Sequence, residues 1–114
     1  MTATMTVVET LPEPSGVGTV VLDIGGEVGA AVIYLPASLA GEEIEIRAVG
    51  DPWTGTHVAV LERVLQSGSV WAAVFSALHE GSYEIRIKDA DPLGPTAPVE
   101  VVGGLVATLR WLDD

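Results

Sequence analysis

The sequence contains no cysteine and few basic residues. Without Cys, disulfides, thiolate catalysis and cysteine-ligated zinc or iron–sulfur sites are excluded. Five Lys and Arg stand against sixteen Asp and Glu, and the resulting net charge of −11 would repel nucleic-acid phosphates and anionic lipid surfaces. The composition therefore argues against nucleic-acid and membrane partners. The negative net charge is explained most simply by a well-solvated acidic surface. The alternative explanation is a cation or a basic protein as partner.

Long apolar segments are also missing. No run reaches the roughly 18 apolar residues that would span a bilayer, and residues 1–10 lack the basic and apolar regions of a secretory signal. This predicts a cytoplasmic protein. With 114 residues, 48% hydrophobic and 18% charged, the chain is expected to form one folded domain around one core.

What the sequence does contain is a series of short apolar runs separated by Gly, Pro and Asp. Residues 1–16 show no sustained period and are predicted to be an irregular N-terminal tail, followed by a single β-sandwich domain at 17–112. No helical segment of ten residues or more is expected. The pattern predicts an all-β fold, an antiparallel Greek-key β-sandwich of about seven to eight strands, immunoglobulin-like or prealbumin-like. The eight predicted strands are residues 17–24, 28–35, 43–49, 57–65, 69–77, 83–88, 99–102 and 105–112.

Two glycine pairs lie between consecutive apolar runs. Gly25-Gly26 separates the first two predicted strands, and Gly103-Gly104 separates the last two. Because both central residues of a tight hairpin turn take positive φ without strain only when they lack a Cβ, each pair predicts a two-residue hairpin.

The strand that begins at Tyr83 has the clearest alternation in the chain. Tyr83, Ile85 and Ile87 fall on one face, and the charged residues between them fall on the other. Residues 43–49 alternate in the same way. The Leu78-x-x-Gly81-x-Tyr83 entry resembles the tyrosine corner of Greek-key sandwiches, which implies an inward ring and a hydroxyl bonded to nearby backbone.

The last third of the chain resembles prealbumin-like sandwiches of the carboxypeptidase regulatory-like kind. The resemblance rests on residues 74–78 and 81–83 leading into an alternating strand, and on the closing run at 99–106. The resemblance implies a module that binds a partner or gives structural support. It assigns no catalytic residues to this sequence.

Residues 21–30, Val-Leu-Asp-Ile-Gly-Gly-Glu-Val-Gly-Ala, look like the glycine-rich first motif of methyltransferases that use S-adenosylmethionine, and more faintly like the phosphate loop of actin-like kinases. In such sites a helix must follow the glycine loop in sequence and present its N-terminus to the ligand. Here a β-branched run follows and ends at Pro36, which favours a hairpin. A cofactor-binding enzyme with its loop at residues 23–29 is kept as an alternative.

Two histidines, His57 and His79, lie near Asp51 and Glu80 in sequence, so a metal-binding protein is a second alternative. Their spacing matches no compact ligand motif, and separate surface histidines are predicted. The acidic loop containing Asp89 and Asp91 lacks the ligand series of a calcium loop.

No Gly-x-Ser-x-Gly elbow is present, and no general base is placed by a motif. Trp53, in a Gly-Asp-Pro-Trp-Thr-Gly loop, is instead either an anchor for a partner or a lid folded back on the sandwich. We therefore predict a small acidic non-catalytic binding module without a cofactor. Its candidate binding residues are Asp51, Trp53 and His57, and its partner is an unknown protein or small ligand. Because Lys88 cannot guard two sheets, a homodimer through sheet edges is also expected.

Overall fold

A computed structural model describes residues 5–10 and 19–112 of the chain. Ten strands and one turn of 3₁₀ helix, at Ala37–Leu39, lie in these residues, and none of their helices is long and apolar enough to cross a membrane. The all-β prediction is therefore confirmed. The strands are β1 (Met5–Thr10), β2 (Thr19–Ile24), β3 (Val28–Leu35), β4 (Glu43–Ala48), β5 (His57–Ala59), β6 (Leu61–Leu65), β7 (Gly68–His79), β8 (Gly81–Ile87), β9 (Thr96–Val101) and β10 (Val106–Arg110).

Two four-stranded sheets pack face to face as a sandwich. The first sheet has the order β10-β3-β7-β6, and the second has the order β5-β4-β8-β9. Apolar side chains from both sheets meet in one core, in which Ile33 and Phe75 of the first sheet and Ile44 and Ile85 of the second are buried. Burial of this surface is the main force that holds the sheets together.

The structure has more strands than the eight predicted. Met5–Thr10 forms β1, although residues 1–16 were predicted to be an irregular tail, and β1 pairs antiparallel with β2. The predicted strand 57–65 is divided at the fully buried Val60 into β5 of the second sheet and β6 of the first. The change of sheet is fixed by backbone bonds from Val60 N–H to Glu42 and from Gly41 N–H to the Val60 carbonyl.

The turn between β2 and β3 differs from the predicted Gly25-Gly26 hairpin. Gly25 and Val28 exchange two backbone hydrogen bonds, so the two turn residues are Gly26 and Glu27. The Gly25–Val28 bridge closes the turn between β2 and β3 as an isolated pairing. Away from it the two strands belong to different sheets, since β2 pairs with β1 and not with β3. Leu22 and Ile24 of β2 instead pack with Ala30 and Val74 of β3 and β7, so both faces of the first sheet are covered in its centre.

The prediction of a Gly103-Gly104 hairpin was wrong. The strands on either side lie in different sheets, and β10 runs parallel to β3, an exception to the antiparallel pairing predicted throughout. Gly104 does take a positive φ of 79°, but Gly103 serves close packing. The connection between β9 and β10, which we call the β9–β10 crossing, passes close to the β2–β3 turn. A Cβ on Gly103 would lie 2.0 Å from the Gly26 carbonyl oxygen, so only glycine fits at this point of the crossing.

The predicted alternation in β8 is confirmed. Tyr83, Ile85 and Ile87 contact the core. The Tyr83 hydroxyl donates a 2.5 Å hydrogen bond to the backbone carbonyl of His79, four residues upstream. This bond connects the beginning of β8 with the end of β7 and so links the two sheets at one end of the sandwich.

Candidate functional site

The outer face of the second sheet carries two pairs of opposite charges. Antiparallel pairing of β4 with β8 places Glu45 opposite Arg86 and Arg47 opposite Glu84. Arg86 Nε donates to Glu45 Oε1 at 2.9 Å, and the Arg47 guanidinium donates to Glu84 Oε1 at 2.7 and 3.2 Å. Opposite charges at directly facing positions stabilise a strand pair.

The Trp53 ring lies on this charged face. The guanidinium carbons of Arg47 and Arg86 are 4.4 and 4.2 Å from the ring centroid, which is within the range of a cation–π interaction. The ring is half-buried. Trp53 therefore folds back onto the sheet, but it covers the outer face and not the end of the sandwich.

Further contacts hold the loop that contains Trp53, residues 49–56, which we call the tryptophan loop. Glu45 accepts a 3.1 Å hydrogen bond from the Gly55 backbone N–H through its second carboxylate oxygen. Arg47 donates at 3.0 Å to the Asp51 carbonyl. The Asp51 side chain and those of Pro52, Thr54 and Thr56 remain exposed. The charged pairs thus fix a loop whose outer surface is open to solvent.

Burial distinguishes the two carboxylates. The Glu45 side chain is 6% exposed and that of Glu84 is 30% exposed. The hydrogen bond from Arg47 lowers the pKa of Glu84 below its ordinary value because it stabilises the ionised form. Lys88 directly follows β8, the strand that contains Glu84. The carboxylate of Asp89 raises the pKa of Lys88, chiefly through a hydrogen bond.

The three candidate binding residues are only partly brought together. Asp51 and Trp53 both contact Arg47. His57 lies in β5, where its Nδ1 contacts Glu43 Oε1. The structure therefore places His57 beside β4, with a carboxylate partner of its own.

The two histidines lie in different sheets. His79, at the end of β7, contacts Glu27 Oε1 through Nε2 at 3.0 Å and the Glu80 carbonyl through Nδ1 at 3.1 Å. Among the described residues, no group of three or more His, Asp or Glu side chains is arranged to hold a metal. The two histidines thus act as separate contacts.

The glycine loop at residues 23–29 leads directly into a strand. Gly25 and Gly26 belong to the turn before β3, and Gly29 lies within β3. A Cβ on Gly29 would come within 2.4 Å of the Val102 carbonyl oxygen. The backbone around Gly29 is therefore covered by the β9–β10 crossing, and no helix follows to present its N-terminus to a cofactor.

A cleft of about 290 Å³ opens where β3, β7 and β10 meet. Trp71, Leu35 and Ala37 supply its apolar surface, while Ser69 and Arg110 supply polar groups. Among the described residues, no carboxylate or imidazole lines it, so these residues supply no pair of groups for acid–base catalysis.

Sequence reasoning selected Trp53 but missed the residues that hold it, Glu45, Arg47, Glu84 and Arg86. A usable signal was present: the outward residues of the two alternating strands are Glu, Glu, Arg and Glu, Arg, Lys. Only an antiparallel pairing that sets Glu45 against Arg86 also sets Arg47 against Glu84. Charge complementarity could therefore have suggested this register.

Comparison of the chain with protein-family models, with curated proteins and with solved structures gave no match.

Proposed function

We propose that this protein is a non-catalytic binding module whose contact surface is the tryptophan loop on the outer face of the second sheet. The observation that carries the proposal is the double contact of Trp53 with Arg47 and Arg86. It places the most amphipathic side chain of the loop on a rigid sheet and leaves the loop's polar rim exposed.

A loop fixed in this way is suited to binding because the entropy cost of ordering it is met during folding. Gly55 and Asp51 are both tied to the sheet through the charged pairs. A half-buried Trp with Arg neighbours also has the composition of an interface hot spot. The partner would contact the exposed edge of the Trp53 ring and the exposed side chains beside it.

Charge favours a cationic partner. The chain has a net charge of −11, and the two arginines of this face are already paired with Glu45 and Glu84. Asp51 therefore adds negative charge to the rim of the loop. A basic protein surface or a cationic small ligand would be attracted to it.

The test replaces the loop's exposed carboxylate and a matched carboxylate elsewhere. Asp51→Lys reverses one charge on the tryptophan loop, and Glu42→Lys makes the same change just before β4 begins, at the opposite end of that strand. Proteins captured from a native lysate by the wild type should be retained by Glu42→Lys and lost by Asp51→Lys. Calorimetry with the purified partner should then show at least tenfold weaker binding to Asp51→Lys alone. Equal capture and equal affinity for the two variants would refute the proposal.

We also propose that the sandwich is of the Greek-key, prealbumin-like kind whose members mostly bind or brace. The hydrogen bond from Tyr83 to the His79 carbonyl supports this, because a tyrosine corner is typical of Greek-key sandwiches. Strand connections determined in solution by NMR that differ from a Greek key would contradict it.

A further inference from the structure

The outer edge of β10 carries backbone groups that pair with no other strand of residues 5–10 and 19–112. Trp111 N–H bonds to the Tyr34 carbonyl and Ala30 N–H bonds to the Leu105 carbonyl, so the odd-numbered residues of this segment direct their backbone toward β3. Backbone direction alternates along a strand. The N–H and C=O groups of Val106 and Thr108 therefore point away from β3, and no strand in the described part of the chain pairs with them.

The other edges of the two four-stranded sheets carry features that discourage pairing. β9 includes Pro98 and the exposed Glu100, and β5 is only three residues long. β6 has the adjacent charged residues Glu62 and Arg63. By contrast, β10 reads Val-Ala-Thr-Leu-Arg, with no proline and no acidic residue, and its one charged residue, Arg110, is the last of the strand. Proline, charge and short length are the usual protections of an edge strand.

Exposed apolar side chains accompany the β10 edge. Val102 is 54% exposed, Leu105 59% and Val106 37%. The backbone bond from Leu105 N–H to the Val102 carbonyl folds them into one short segment, which we call the crossing cluster. Three of the six exposed large hydrophobic side chains among the described residues belong to it, and such clustering is typical of contact surfaces.

We propose that two copies of this chain associate through their β10 edges, in antiparallel orientation, with the crossing clusters at the contact. A strand edge related to itself by a two-fold axis is self-complementary, because each copy supplies the donors and acceptors that the other lacks. The pairing joins the first sheet of one copy to the first sheet of the other, so that they form one continuous sheet. The interface is independent of the tryptophan loop, which lies on the other sheet.

Light scattering coupled to size-exclusion chromatography tests the association. The wild type should have twice the mass of the 11.8 kDa chain at high micromolar concentration. Thr108→Pro removes an edge N–H that β3 does not use, and Leu105→Asp places charge in the crossing cluster. Both variants should return to the single-chain mass with an unchanged circular-dichroism spectrum. Leu93→Asp makes the same Leu-to-Asp change on a side chain that is 93% exposed elsewhere and should leave the double mass intact.

Two further readouts separate this interface from others. Because both copies are acidic, added salt should strengthen the association by screening their repulsion. In the wild type, hydrogen exchange at the Thr108 amide should slow as protein concentration rises, while exchange at the Leu109 amide, which faces β3, should not change. A single-chain mass for the wild type, or a double mass retained by both edge variants, would overturn the proposal.

Discussion

Glu45 lies directly opposite Arg86 in the pairing of β4 with β8, and its buried carboxylate accepts a 2.9 Å hydrogen bond from the Arg86 Nε. The neighbouring pair, Arg47 with Glu84, has the same chemistry at greater exposure. The two arginines also lie at nearly equal distances from Trp53. This face of the sheet therefore contains two ion pairs of the same chemistry, one with a buried carboxylate and one with a half-buried carboxylate.

Arg86→Met should destabilise the fold more than Arg47→Met. Loss of Arg86 leaves the carboxylate of Glu45 buried without its cation, at a cost of about 2 to 3 kcal/mol, below the full range for a completely buried pair. Loss of Arg47 lets the Glu84 carboxylate return to water and should therefore cost clearly less than loss of Arg86. Urea unfolding at neutral pH measures both values. Equal costs for the two variants would mean that the Glu45 environment is well hydrated.

The stability of the wild type should decrease in acid partly because of Glu84. Its pKa is lowered in the folded protein, chiefly by the hydrogen bond from Arg47. The unfolded chain therefore binds a proton first as the pH falls below about 4.5. The stabilising contribution is complete above that pH and is lost as the pH falls through the lower, folded-state value. Urea unfolding between neutral pH and pH ~3 should show a shallower decline for Glu84→Gln.

A second variant checks the cause of this effect. Arg47→Met removes the donor and should move the pKa of Glu84 back up toward its ordinary value, as followed by NMR titration of the side-chain carboxyl. An unmoved titration would show that the Arg47 hydrogen bond does not set it.

Tyr83→Phe should cost about 0.5 to 1.5 kcal/mol at neutral pH, because it removes only the hydrogen bond to the His79 carbonyl. The bond lies at the surface, so water can partly replace the lost donor. Thermal and urea unfolding measure the difference. No difference at all would show that the hydroxyl makes no net contribution.

The same variant predicts an alkaline effect. Burial raises the pKa of Tyr83 above the ordinary value of 10.0. The unfolded chain loses this proton first, so wild-type stability should decline as the pH rises above about 10. Tyr83→Phe lacks the group, and the stability difference between the two proteins should therefore narrow in that range.

Gly103→Ala should be far more disruptive than Gly104→Ala. An added Cβ at Gly103 meets the Gly26 carbonyl oxygen and the Glu27 Cα, whereas no atom of the described residues lies within 4 Å of a Cβ at Gly104. For Gly104 the cost is backbone strain at positive φ, about 1 to 2 kcal/mol. For Gly103 the crossing must move, with a cost of about 3 kcal/mol or more. Urea midpoints rank the two, and a reversed order would contradict the close packing.

The parts of the fold that were predictable are those set by local pattern. Alternation placed Ile44, Ile46, Tyr83 and Ile85 toward the core, because a strand with one polar face can bury only the other. The charged residues between them were correctly assigned to the outer face. These statements needed no knowledge of which strands are neighbours.

The changes of sheet had no comparable local signal. Val60 is apolar within an apolar run, so nothing in residues 57–65 indicated that the strand ends there and resumes in the other sheet. Gly103 suggested a positive-φ turn, but a glycine is equally required where two backbones nearly touch. The position of Trp53 depends on the register of β4 against β8, which joins residues about forty positions apart.

The parallel pairing of β10 with β3 also constrains the order in which this protein can fold. Val106 pairs with Ala30. One edge of β3 therefore stays unpaired until the ribosome has synthesised β10, long after β3 itself. Until then, the apolar sequence Val-Gly-Ala-Ala-Val-Ile-Tyr-Leu has an open edge on a nascent chain. Such late closure of a distant contact slows folding and lengthens exposure to aggregation. Synthesis rate and chaperone access should therefore affect the yield of this protein more strongly than its size suggests.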